Sequence, residues 1–170
     1  MKLNIELIRK KDAANIIDFE HEILESDKEE FLTILSAEQI NSVRIYGNAA
    51  QENGFAVINY NISADFIADC ARCSKPAAQN IIFSGKKYLA DKSDEKEDNE
   101  DFYTLEQPGI IDLREFLAEF LALEVPLRYL CFEDCKGLCG KCGKDLNAGE
   151  CGCNKKEINP ALKILDNFFD

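Results

Sequence analysis

Tryptophan is absent from this chain, and histidine and methionine occur once each. The single histidine, His21, excludes metal sites built on several imidazoles and leaves any nucleophile–histidine pair dependent on one residue. Basic residues are few: 20 Lys and Arg stand against 32 Asp and Glu, a formal charge of −12. Such an excess repels polyanions at long range and argues against a protein that coats nucleic acid. No apolar run approaches the roughly 18 residues of a membrane span. The opening MKLNIELIRKKDAAN has neither the apolar core nor the small-residue cleavage site of a secretory signal. GKCGKD is too short for a phosphate-cradling loop, and scattered carboxylates with one histidine offer no two-metal nuclease site. These absences leave a cytoplasmic chain, 46% apolar and long enough to bury a core as one domain.

Cysteine is what the chain has in excess, with eight in 170 residues and six of them between Cys131 and Cys153. Cys139-Gly-Lys-Cys142-Gly143 has the form of a zinc knuckle, in which two thiolates curl round one ion and the glycine lets the backbone turn. Cys151-Gly152-Cys153 supplies two more sulfurs on one side of an extended segment. The remaining thiols are Cys131 and Cys135 and, far upstream, the pair Cys70-Ala-Arg-Cys73. The simplest partition is two zinc ions, one on Cys70, Cys73, Cys131 and Cys135 and the other on Cys139, Cys142, Cys151 and Cys153. Spacing alone also permits Cys70 and Cys73 to join Cys139 and Cys142, as in a zinc ribbon. A disulfide framework is disfavoured in a reducing cytosol, and an iron–sulfur cluster would need spacings unlike the common ferredoxin runs.

Hydrophobic periodicity places these cysteines on a β-rich body. Leu3, Ile5 and Leu7 alternate as a strand over 2–8, and Ile17, Phe19, His21 and Ile23 form a second, with His21 on the apolar side in a packing role. Phe31 to Ile40 is ambiguous, with a short strand at FLTIL and a turn at SAEQI as one reading. Val43, Ile45 and Gly47 open a hairpin that turns at Asn53-Gly54, and its long return strand carries Ala56 to Cys70 on one apolar face. Fifteen residues call for a bend or bulge near Asn61 to Ser63. Ala71 to Asn80 reads as the turn before a strand over Ile81 to Leu89, so Cys70 and Cys73 sit at a hairpin tip. Asp91 to Asp101 has seven acids and two lysines and reads as a mobile loop. Asp112-Leu-Arg-Glu115 is a capping box for a helix that ends before Pro126, with the Asp112 side chain accepting from the Glu115 amide. Asn159-Pro160 starts a terminal helix with Leu162, Leu165 and Phe169 on one face. Pro126 to Lys156 carries +2 against −14 for the rest, a patch that local charge balance around zinc explains as well as phosphate binding does.

The expected fold is α+β: an antiparallel β-rich body, a bent sheet or partial barrel, with one packed helix, a C-terminal zinc-knuckle module and a terminal helix. Residues 1–125 would form the body, with its helix at 112–124 and acidic loop at 91–101. Residues 126–170 would form the cysteine-rich module and last helix, the two parts making one cooperative unit.

Cys70-Ala-Arg-Cys73 after a long strand, Ile111-Asp112-Leu113, Val125-Pro126, the string Cys131 to Gly143, Asn147, Cys151-Gly-Cys153 and Asn159-Pro160 together resemble the YceD family of large ribosomal RNA subunit accumulation proteins, over nearly the whole length. The resemblance implies a bacterial cytoplasmic protein, with a plastid branch, needed for 23S ribosomal RNA processing or accumulation, and no known enzymatic activity. It also implies that a first site can survive alone, since some members lack the last four cysteines. Partners would be a pre-ribosomal particle, ribosomal RNA or a ribosomal or processing protein, met by a monomer without a small-molecule substrate. Two other functions compete: a thiol–disulfide oxidoreductase using Cys70 and Cys73, and a general zinc adaptor in transcription.

Overall fold

The computed structural model describes residues 1–9, 16–92 and 101–153. Its centre is a curled five-stranded sheet, a half-barrel, in the order β2 (Ile17–Glu22), β3 (Gln39–Glu52), β4 (Phe55–Asp69), β5 (Pro76–Asp91) and β6 (Phe102–Leu105). The first four strands form an antiparallel meander, but β6 joins β5 in parallel, pairing Phe102 with Tyr88 and Leu105 with Asp91. The sheet is therefore mixed rather than purely antiparallel. A two-stranded sheet of β1 (Lys2–Asn4) and β7 (Ile110–Asp112) stands beside it. Three α-helices, α1 (Glu6–Arg9), α2 (Lys28–Leu35) and α3 (Leu113–Glu124), and a short 3-10 turn at Glu25–Asp27 complete the described fold. No helix among the described residues is long and apolar enough to cross a membrane. The terminal helix expected from Asn159-Pro160 and residues 93–100 of the expected acidic loop lie outside the described residues.

The long hairpin forms where the alternation and the turn signal agree. Asn53 and Gly54 take φ of 51° and 85°, the paired positive values of a tight primed turn. From that turn β4 alternates so that Ala56, Ile58, Tyr60, Ile62, Ala64, Phe66, Ala68 and finally Cys70 all fall on the buried side. The expected irregularity lies elsewhere: β4 pairs without a break, and the register slips on β3 between Ile40 and Ser42. One unpaired residue there, Asn41, takes up the curvature. The β5 strand also begins earlier than its apolar content suggests. Pro76 to Asn80 has no hydrophobic alternation, yet it pairs with Asp69 to Asp65, because the ladder is held by backbone groups.

Two stretches read as strand are helical. Beyond β1, the Asn4 carboxamide oxygen accepts from the Glu6 amide at 2.9 Å and starts α1, which buries Ile8 beside the preceding Ile5 and leaves Leu7 exposed. Phe31 to Leu35 is the second half of α2: Phe31 and Leu35, one turn apart, are fully buried, and Ser36 closes the helix in the left-handed region. A short β-branched run imitated a strand, and the i, i+4 burial decided the matter.

Helix α3 covers the curled sheet. Asp112 caps it as expected, although the carboxylate accepts from the Arg114 amide at 3.0 Å rather than from Glu115. Leu113, Phe116, Leu117, Phe120 and Leu121 form its buried stripe. Opposite them Tyr60 lies between two glycines in register, Gly47 on β3 and Gly85 on β5. A Cβ at Gly85 would lie 2.6 Å from the Tyr60 ring, and one at Gly47 would collide with the Asn59 carbonyl. The bare backbone lets the ring lie across the strands and meet Phe116 and Phe120, at centroid separations of 5.0 and 5.2 Å. Arg114 ties α3 to α2 through Glu30 and Asp27.

Phe116→Ala should cost about 3–5 kcal/mol, since the cavity would open at the centre of this stack; urea unfolding measures it. His21 packs half-buried towards the core, as its pattern indicated, and its Nε2 has no hydrogen-bond partner among the described residues. Burial, then the N-terminal charge, lower its pKa against the opposing pull of Asp112 and Asp27. The unfolded chain thus takes the proton more readily, so this contribution is intact above the ordinary imidazole value of about 6.5 and is lost as pH falls through it. Stability should decline on acidification across that range, and His21→Leu should flatten that slope, read from unfolding midpoints at a series of pH values.

Candidate metal centres

Both ends of the first quartet are set by the body. Strand β4 continues its inward alternation to Cys70, and the turn between β4 and β5 carries Cys73. After α3, Val125 is extended before Pro126, and the chain runs back along the sheet. Tyr129 packs edge-on against Phe66 with centroids 5.2 Å apart, and its carbonyl accepts from the Ala71 amide at 2.8 Å. Gln79 donates to the Leu130 carbonyl at 3.2 Å. These anchors deliver Cys131, and Cys135 one turn later, to the hairpin tip.

Cys70, Cys73, Cys131 and Cys135 have their sulfurs within 4.8 Å of one another, and so do Cys139, Cys142, Cys151 and Cys153. This is the expected partition; the ribbon-like alternative, pairing Cys70 and Cys73 with Cys139 and Cys142, is not the arrangement found. Cys70 and Cys135 are 3.8 Å apart, Cys73 and Cys131 3.6 Å, and Cys139 and Cys151 3.4 Å. Four thiolates held about 2.3 Å from one ion would lie about 3.8 Å apart, whereas a disulfide would bring two sulfurs to about 2.05 Å. Both quartets fit a tetrahedral ion and could hold one. The first is largely buried, with Cys70, Cys73 and Cys135 at 1, 4 and 2% exposure and Cys131 partly exposed; the second is open, and Cys142 is exposed.

The two knuckles are copies of one another in backbone geometry. Ser74 and Gly143 donate to the carbonyls of Cys70 and Cys139, both at 2.8 Å, and the amides of those cysteines donate to the carbonyls of Lys75 and Lys144 at 2.9 and 2.8 Å. Ser74 and Gly143 both take positive φ, 54° and 71°. The hexapeptides Cys-Ala-Arg-Cys-Ser-Lys and Cys-Gly-Lys-Cys-Gly-Lys already carry this likeness in the sequence, though the serine hides it from a search for glycine.

Each quartet mixes acidic and reluctant thiols. Burial pushes Cys70 up, but the amides of Cys131, Arg72 and Cys73 outweigh it and bring it down to about 6. The amides of Lys141 and Cys142 likewise lower Cys139 to about 6. Cys131 is pushed up to about 12, first by burial and then by the neighbouring sulfurs, and Cys153 to about 12, first by hydrogen bonds with Cys142 and Cys151. One thiolate in each set is thus ready for a cation, and the cation's own charge would release the other protons.

Cysteine spacing does not reveal the residues that join the two centres. Arg72 donates to the Cys135 and Glu133 carbonyls at 2.8 and 3.2 Å, while its own carbonyl accepts from Leu138 at 3.0 Å. Lys75 pairs with Asp145 at 2.6 Å, holding that carboxyl below its ordinary pKa. Asn147 donates to the Cys135 sulfur at 3.4 Å.

Fold and sites together define a half-barrel α+β protein whose central hairpin ends in one of two adjacent four-cysteine centres. The family model for the large ribosomal RNA subunit accumulation protein YceD matches residues 58–169, more than half of the chain, and the chain belongs to that family. The match begins within β4, so it excludes β1 to β3 and does not run nearly the whole length. Uncharacterized proteins of Mycobacterium tuberculosis and Mycobacterium bovis are 28% identical to it over 106 residues, 61% of this chain and 51% of theirs. The chloroplastic large ribosomal RNA subunit accumulation protein YCED homolog 1 of Arabidopsis thaliana is 33% identical over 58 residues, 34% of this chain and 18% of that one. The chain spans about half the length of the mycobacterial relatives. No solved structure matches.

Elemental analysis of protein purified without added metal should find two ions per chain. Cys142→Ser should unfold the second knuckle locally and leave the β-rich body folded, because Leu138 and Leu146 are the only large aliphatic residues the knuckle could bury without its ion. Cys73→Ser should loosen the hairpin tip from the chain after α3. Amide exchange distinguishes the two outcomes.

Proposed function

We propose that this chain is a zinc-binding ribosome-biogenesis factor of the bacterial cytoplasm, supporting 23S ribosomal RNA processing or accumulation and large-subunit assembly by binding rather than catalysis. The observation that carries the reading is membership of a family named for large-subunit RNA accumulation, over a span that contains both four-cysteine centres. Zinc is the ion that four converging thiolates in tetrahedral spacing favour, with all eight cysteines as ligands. The body of residues 1–125 and the module of 126–170 act as one cooperative unit, clasped by the first ion.

Two features favour binding over chemistry. Cys70 and Cys73, which an oxidoreductase would have to present, are turned inward against Cys135 and Cys131, where a partner disulfide has poor access. His21, which a hydrolase would need as its base, packs towards the core on β2. The charge favours the nature of the partner. The chain is at −12, and each occupied four-thiolate centre adds a further formal −2 or so. Long-range attraction therefore acts on basic protein surfaces within a pre-ribosomal particle, which monomers of this chain would approach more readily than bare RNA.

Tagged protein should co-sediment with precursors of the large subunit, and depletion should shift large-subunit RNA towards its precursors. The purified protein should leave ribosomal RNA intact. Hydrolysis by the protein alone, abolished by one substitution, would overturn the reading.

A further inference from the structure

The loop from Gly143 to Glu150 joins the two cysteine pairs of the second centre, yet two of its side chains, Asp145 and Asn147, turn to the first. Asn147 lies at its middle. Its Nδ2 donates to the Cys135 sulfur at 3.4 Å and to Asp145 Oδ1 at 2.9 Å, and its Oδ1 accepts from the Lys136 amide at 2.7 Å. Its own amide donates to Asp145 Oδ1 at 2.8 Å, while the other oxygen of Asp145 pairs with Lys75, just beyond the first knuckle. Leu146 donates to the Gly137 carbonyl at 2.9 Å. Gly137 has φ of 71°, and a Cβ there would stand 2.7 Å from the Arg72 carbonyl, so the two knuckles meet backbone to backbone.

We propose that Asn147 is a positioning residue of the first metal centre, placed there by metal at the second, so that the two sites fill cooperatively. The inference rests on reading both quartets as metal sites. The physical chain is short. A buried tetrathiolate centre has a formal excess of negative charge, and an amide N–H aimed at one sulfur offsets part of it. Partners of this kind orient the ligand, and their loss typically costs about 10–100-fold in metal affinity. Hydrogen bonds hold the loop that carries Asn147, among them Gly143 to the Cys139 carbonyl and Lys144 to the Glu150 carbonyl, both at 2.8 Å, and ligation of Cys142 and Cys151 would close it covalently at the metal. Without the second ion that closure is lost, and the entropy of ordering the loop weighs against the contact with Cys135. Linkage then requires the effect to run both ways: metal at the first site holds Cys135 and Asn147 in place and tightens the second.

The test uses the full chain and zinc titrated against a competing chelator, with cadmium NMR to follow each centre separately. The second-site resonance of the wild type is identified as the one that Cys142→Ser removes. Asn147→Ala should weaken first-site zinc binding about 10–100-fold and move the first-site cadmium resonance, with the fold unchanged by circular dichroism. Asn147→Asp keeps an acceptor for Lys136 but turns a carboxylate towards the thiolates, and should weaken the site at least as much. Cys142→Ser should weaken the first site by a similar factor, and adding Asn147→Ala to it should cost nothing more, since the contact is already lost. First-site affinity within about twofold of wild type in Asn147→Ala, an unmoved resonance, or losses that simply add would overturn the proposal while leaving two metal sites standing. A wild-type chain that takes up no ion at either quartet would overturn the metal reading itself.

Discussion

Four sulfurs from two segments some sixty residues apart converge on one point at the end of the central hairpin. Cys70 and Cys135, 3.8 Å apart, and Cys73 and Cys131, 3.6 Å apart, can be close only if β4 keeps its inward alternation to its last residue and α3 returns the chain along the sheet. The body and the start of the cysteine-rich segment thus meet at one junction. Tyr129 on Phe66, its carbonyl on the Ala71 amide and Gln79 on Leu130 are among the protein bonds of this junction, and without a cation Cys131 holds its proton, because further thiolates beside Cys70 would repel one another across it. An ion held there would turn that repulsion into a clasp.

The rest of the body serves to hold this geometry steady. Gly47 and Gly85 flank Tyr60, the ring lies over bare backbone, and α3 seats Phe116 and Phe120 against it. The same helix ends at Pro126 and points the chain towards the hairpin tip. Packing at one end of the sheet therefore fixes the start of the segment that supplies half the ligands at the other. A largely buried first centre is thereby joined to a more open second one, on a strongly acidic chain in a family named for ribosomal RNA accumulation.

Much of this was legible in the residues alone. The Asn53-Gly54 turn, the apolar face of β4 up to Cys70, the α3 stripe and the two quartets all follow from local rules, because strand and helix periods and the reach of a Cys-x-x-Cys pair act over a few residues. The tertiary structure decided what depends on distant partners. Phe31 to Leu35 became a helix because a core received one face of it, and the slip at Asn41 fell on β3 because the curl of the whole sheet set where the extra residue goes. The parallel seating of β6 beside β5 is invisible in four residues of sequence. So is the role of Asn147, whose amide meets a sulfur twelve positions away only after two knuckles have folded against each other. Cysteine spacing identified the thiols; three-dimensional packing determined which polar groups surround them.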